Sequence, residues 1–75
     1  MDRVQVFLRS RLFSTGDNSH APKRAVILDG ELLNTKGGVQ IQVSQWRDDQ
    51  GKVLEGESRK LFIPSSKIDH ILYLD

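Results

Sequence analysis

The chain contains no cysteine and only two prolines, one methionine, one tryptophan and one tyrosine among its 75 residues. Without thiols it forms no disulfide and offers no thiolate to a metal, so a small core has no covalent support. It also lacks an excess of charge: eleven Lys or Arg stand against ten Asp or Glu, for a formal net charge of +1. Such a balance supplies no general electrostatic drive toward nucleic acid, although a local basic face is compatible with it. Long apolar runs are missing too. The opening MDRVQVFLRSR has no uninterrupted apolar region of the kind a signal peptide needs, and no later window is long and apolar enough to span a bilayer. Residence in the cytoplasm, with no membrane partner, is the expectation.

What is present favours a globular β-domain. Hydrophobic residues make up 37% and charged residues 28%, too apolar for a wholly disordered chain. Residues 1–75 suffice for a single domain with a small core, and pairing with another chain would enlarge the apolar surface it buries. The stretch RKLFIPSSKIDHILYLD at 59–75 organises the reading. Pro64 removes an amide donor and ends one extended run, Ser65 and Ser66 turn the chain, and Ile68, Ile71, Leu72, Tyr73 and Leu74 form a second run that needs cover.

The preceding chain reads as strands joined by turns. A first strand over 3–13 places Val4, Val6 and Leu8 on one face, while Phe7 and Phe13 depart from the pattern toward a second buried surface, an interface or a bulge. The polar loop at 15–22 carries Gly16, Asp17, Asn18, Ser19, His20 and Pro22. A second strand over 23–35 is kinked at Asp29-Gly30, and a hairpin turn at 34–38 uses Gly37-Gly38. Residues 39–46 alternate best, with Val39, Ile41 and Val43 against Gln40, Gln42 and Ser44. On a straight strand Trp46 shares the polar parity, where its indole either covers a barrel corner or anchors a binding patch. Asp48-Asp49-Gln50-Gly51 marks a solvent turn, and a short strand at 52–54 can precede the strand at 59–63. Ser66 is a candidate to cap a single helical or 3₁₀ turn at the corner through its side-chain oxygen. The fold class expected is mainly β: five strands in a small, strongly bent sheet or barrel, with at most a short 3₁₀ turn.

The VQIQV strand and LFIPSSKIDHI, a strand, short turn and following strand, resemble the final corner of SH3-like or Sm-like small barrels. The resemblance implies a barrel over most of residues 3–74. The chain has no clear match to an Sm nucleotide pocket, nor the clustered aromatics of an SH3 groove that binds proline-rich peptides.

No reaction is specified. Ser65, Ser66, Asp69 and His70 are hydrolase residue types, yet adjacency supplies no base, orienting group or oxyanion hole. His20 and His70 lie 50 positions apart with no metal-ligand spacing between them, Gly37-Gly38 lacks the context of a phosphate loop, and Asp48-Asp49 lacks the separation of glycosidase carboxyls. No cofactor, metal or catalytic residue is assigned. The leading expectation is a non-enzymatic protein-interaction or assembly module that self-associates through an edge strand, with Arg11, Phe13, Trp46, Phe62 and Tyr73 contributing. The alternative is a small RNA- or single-stranded-DNA-binding barrel whose basic face draws on Arg9, Arg11, Lys23, Arg24, Lys36, Arg47 and Lys60, with Trp46 or Phe62 stacking on bases.

Overall fold

In the computed structural model, residues 2–11 and 24–74 are described. Six strands run as β1 (Asp2–Leu8), β2 (Ile27–Asn34), β3 (Gly38–Arg47), β4 (Val53–Leu54), β5 (Arg59–Pro64) and β6 (Ile68–Tyr73), with a 3₁₀ turn at Ser65–Lys67 before β6. The mainly β expectation holds, and the sixth strand is the two-residue β4. All pairings are antiparallel. β3 is the hub, bonded to β2 on one side and to both β4 and β5 on the other, while β1 lies between β2 and β6. Among the described residues the sheet bends without closing: β4 and β5 lie at one end and β6 at the other.

Alternation builds the core as elementary strand geometry requires. Val4, Val6 and Leu8 from β1, Leu28 from β2, Val39, Ile41, Val43 and Trp46 from β3, and Ile63 from β5 are buried together with Ala25. The first strand is shorter than its sequence suggests, because Arg9, Ser10 and Arg11 leave the ladder, and Phe13 and Lys23 fall outside the described residues, as does the polar loop at 15–22. β2 likewise begins at Ile27.

Three irregularities bend the sheet. Asp29 pairs with Gln45 but Gly30 with Val43, so Ser44 is an extra residue on β3. Leu33 is the extra residue opposite Ile41 and Gln40, and Asp69 is the extra residue on β6 between the partners of Phe7 and Leu8. The kink expected at Asp29-Gly30 is therefore present, with its inserted residue on the partner strand. A bulge sharpens strand twist and reverses the side-chain parity beyond it. This reversal corrects the placement of Trp46 with Gln40 and Gln42: past Ser44, Trp46 joins the inward set and is 0% exposed. Its indole N–H donates to the Glu57 carbonyl at 3.0 Å, satisfying the polar edge of a buried ring. At the β2–β3 turn, Gly37 adopts φ 75°, a conformation that side chains disfavour.

The candidate site at the open β6 edge

Among the described residues, β6 shares only one of its edges. The Leu74 N–H donates to the Arg3 carbonyl at 2.9 Å, which sets the phase of the β1–β6 ladder. Bonded and non-bonded pairs alternate along an antiparallel ladder, so Leu72 and His70 turn their backbone groups toward β1, and Ile71 and Tyr73 turn theirs outward. Among the described residues no strand pairs with that outer edge. The beginning of β6 is blunted by the Asp69 bulge and by Arg9, whose Nε donates to the Ile68 carbonyl at 3.0 Å. Open edge therefore begins at about His70.

Side chains make this edge apolar. Leu72, Tyr73 and Leu74 are 48%, 52% and 47% exposed. Ile71 and Tyr73 share the inward parity of their partners Val6 and Val4, so Tyr73 stands at the rim of the core where the sheet stays open. Leu72 lies on the outer face beside His70. The His70 ring stacks on Phe7 with centroids 4.3 Å apart and planes 12° apart, and its Nδ1 lies 2.9 Å from an Asp69 carboxylate oxygen. Phe7 thus serves a second, half-buried surface. Leu72 and Leu74, which belong to the run expected from sequence to need cover, join the candidate contact residue Tyr73 at this edge. The signal was their membership of an apolar run with both parities filled, a pattern that leaves one face uncovered in a single small sheet.

The other candidates disperse. Phe62 is 56% exposed on β5, at the opposite end of the strand order from Tyr73. Trp46 is withdrawn into the core, which removes it from an exposed contact patch and from base stacking. Phe13 and Lys23 lie outside the described residues. Arg11 and Arg24 line one cleft of about 270 Å³ together with Ser10, Val26, Asp48 and Asp49, so two carboxylates face the two guanidinium groups. Lys36 sits in the β2–β3 turn and Lys60 on β5 opposite Gln42. Arg47 holds the sheet instead: its Nε meets Asp29 at 2.7 Å, and its terminal nitrogens donate to the Gly51 carbonyl and Gln45. Gln5 donates to the other Asp29 oxygen at 2.8 Å.

Asp48 is also structural. Its side-chain oxygen accepts the N–H groups of Gln50 and Lys52, and its backbone closes the same turn through Lys52 and Gly51. The Lys52 N–H leads in holding the carboxyl below its ordinary 3.8; burial opposes this, and the Gln50 N–H and the charges of Arg24 and Lys52 lower it further. A depressed folded-state value means stability present above 3.8 and lost as pH falls through the lower folded value. Asp48→Asn keeps the acceptor oxygen but not the titration. The gap in urea midpoint between the native protein and this variant is expected to narrow as pH falls from about 4 to about 2. A gap independent of pH contradicts that assignment.

None of the described hydrogen bonds joins Ser65 or Ser66 to His70; the His70 contact is to neighbouring Asp69. The described residues contain no group of three or more His, Asp or Glu placed to hold a metal, and His20 lies outside them. No described helix is long and apolar enough to cross a membrane. Comparison with protein-family models, curated proteins and solved structures yields no significant match.

Proposed function

We propose that this protein is a non-enzymatic assembly module that associates through its β6 edge. The carrying observation is the coincidence of outward backbone groups at Ile71 and Tyr73 with half-exposed Leu72 and Tyr73 on the same strand and Leu74 directly after it. Adding a strand there satisfies main-chain donors and acceptors while removing apolar surface from water. Natural sheets protect open edges with charges, prolines and bulges. β5 has that protection in Arg59, Lys60 and Pro64, and β6 has it only before His70. A last strand paired to the first, reached through a 3₁₀ turn, supports kinship in shape with SH3-like or Sm-like barrels.

Sedimentation velocity across a concentration series tests the reading. The native protein is expected to shift from monomer to a larger species, and Leu72→Lys to weaken that association at least about tenfold, or about 1.4 kcal/mol. Leu72 is half exposed, so the variant is expected to keep its fold, as checked by circular dichroism. A native protein monomeric throughout, with no strand-donating partner, overturns the proposal.

The alternative, a binder of single-stranded RNA or DNA, rests on Arg9, Arg11 and Arg24 at the end of the sheet where β1 stops and β2 begins. Asp48 and Asp49 in the same cleft and the engagement of Arg47 with Asp29 weigh against it. Salt-sensitive oligonucleotide binding lost on Arg11→Ala and Arg24→Ala, with unchanged sedimentation of Leu72→Lys, would favour it over edge assembly.

A further inference from the structure

From the hydrogen-bond phase of β6 we infer its partner: β6 of a second copy, antiparallel, related by a twofold axis at Leu72. This inference rests on the assembly reading and specifies its occupant and register. The usable edge is short. Arg9 occupies the Ile68 carbonyl, and the Asp69 bulge breaks regular pairing, leaving His70 through Leu74. Within that span only Ile71 and Tyr73 direct both backbone groups outward. An antiparallel copy satisfies them when Ile71 faces the partner's Tyr73 and Tyr73 faces the partner's Ile71. The midpoint of those two pairings is Leu72.

Side-chain chemistry selects the same register. Leu72 meets its own copy on the outer face, Ile71 covers Tyr73 at the rim of the core, and Leu74 lies across from His70, whose ring is already fixed against Phe7. The three half-exposed apolar residues of this edge, Leu72, Tyr73 and Leu74, are all covered at once. Centring the axis on Ile71 instead would set Tyr73 against Asp69, the displaced residue of the bulge, and centring it on His70 would set Ile71 against that same residue. No Asp, Glu, Lys or Arg lies between His70 and Leu74, so within those five residues the segment opposes no like charges, and acidic residues stand only at its margins. A self-complementary patch of this kind is the requirement of a closed twofold dimer, and a second copy meets it without further assumptions. Pairing to β5 would place Pro64, which has no N–H, and the Arg59-Lys60 pair against this apolar segment.

The absence of cysteine makes the register directly readable. In the proposed ladder, residue 72 forms a non-hydrogen-bonded pair with its own copy, with Cα atoms about 4.5 Å apart, inside the range that a disulfide spans. Under mild oxidation Leu72→Cys is expected to become a covalent dimer at least about tenfold faster than Ile71→Cys or Tyr73→Cys, whose copies are offset along the ladder. Phe62→Cys on β5 is a second control, expected to stay monomeric on a reducing-free gel. Native protein that dimerises in sedimentation while Leu72→Cys links no faster than Ile71→Cys overturns this register and leaves edge assembly standing. Native protein that stays monomeric overturns the second copy as partner, and with no other strand-donating partner it overturns edge assembly as well.

Discussion

Trp46→Ala is expected to cost about 3–5 kcal/mol of folding stability, the range for deleting a large aromatic from a packed core. A domain of this size holds roughly 4–11 kcal/mol in total, at about 0.05–0.15 kcal/mol per residue, so the variant should be largely unfolded on mild heating. The indole is the largest fully buried side chain and lies among Leu28, Ile41 and Val43 in a core with few other large residues. Its removal leaves a cavity that neighbouring strands cannot close, since their backbones are fixed by pairing on both sides of β3. The N–H bond to the Glu57 carbonyl is lost as well, and with it the tether of the segment between β4 and β5. Urea unfolding should be followed by far-ultraviolet circular dichroism, because the deleted residue is the sole tryptophan. A loss below about 1 kcal/mol would contradict a core position.

Gly30→Ala is expected to be comparably severe for a different reason. A Cβ at Gly30 would lie 2.1 Å from the Gln42 carbonyl oxygen, 2.9 Å from its carbon and 3.0 Å from the Val43 Cα. All three are backbone atoms of the hub strand, so no rotamer change relieves the clash and the β2–β3 ladder must open. A loss of about 3 kcal/mol or more follows, large for a single methyl group. Gly51→Ala provides the contrast. Its φ of 83° disfavours a side chain, but a Cβ there meets nothing within 4 Å, so only the conformational penalty of about 1–2 kcal/mol applies. Thermal unfolding of the two variants should separate steric from dihedral cost. Gly30 lies outside the positive-φ region, so a loss no larger than that of Gly51→Ala would contradict the steric clash at this position.

These two positions also mark how far residue order can be read. The Asp29-Gly30 kink was legible because glycine inside an apolar strand signals a bulge or a close backbone approach. Which strand carries the inserted residue was not, since Ser44 is in no way unusual in an alternating polar face. On a straight strand Trp46 shares the polar parity, but one inserted residue upstream inverts every later side chain. The open edge was half legible. Ile71, Leu72, Tyr73 and Leu74 announced a two-faced strand, but the blunting of its start by Arg9 depends on a contact 59 residues away in sequence. Arg47 was grouped with solvent-facing bases because its partner Asp29 lies on another strand. Asp48 was read as an ordinary solvent turn, and its burial reflects the tight Asp48–Lys52 closure.

Strand alternation, the Gly37 hairpin, the proline-ended β5 and the 3₁₀ corner follow from residue order, because each depends on sterics and hydrogen bonding within a few positions. Cysteine content and charge balance likewise need no coordinates. The direction of Trp46, the pairing of Arg47 with Asp29, the open sheet formed by the described residues and the phase of the outward donors on β6 belong to the folded molecule. They arise where strands remote in sequence meet, and at such meetings the register of the partner, set by bulges at Leu33, Ser44 and Asp69, chooses the face each side chain occupies.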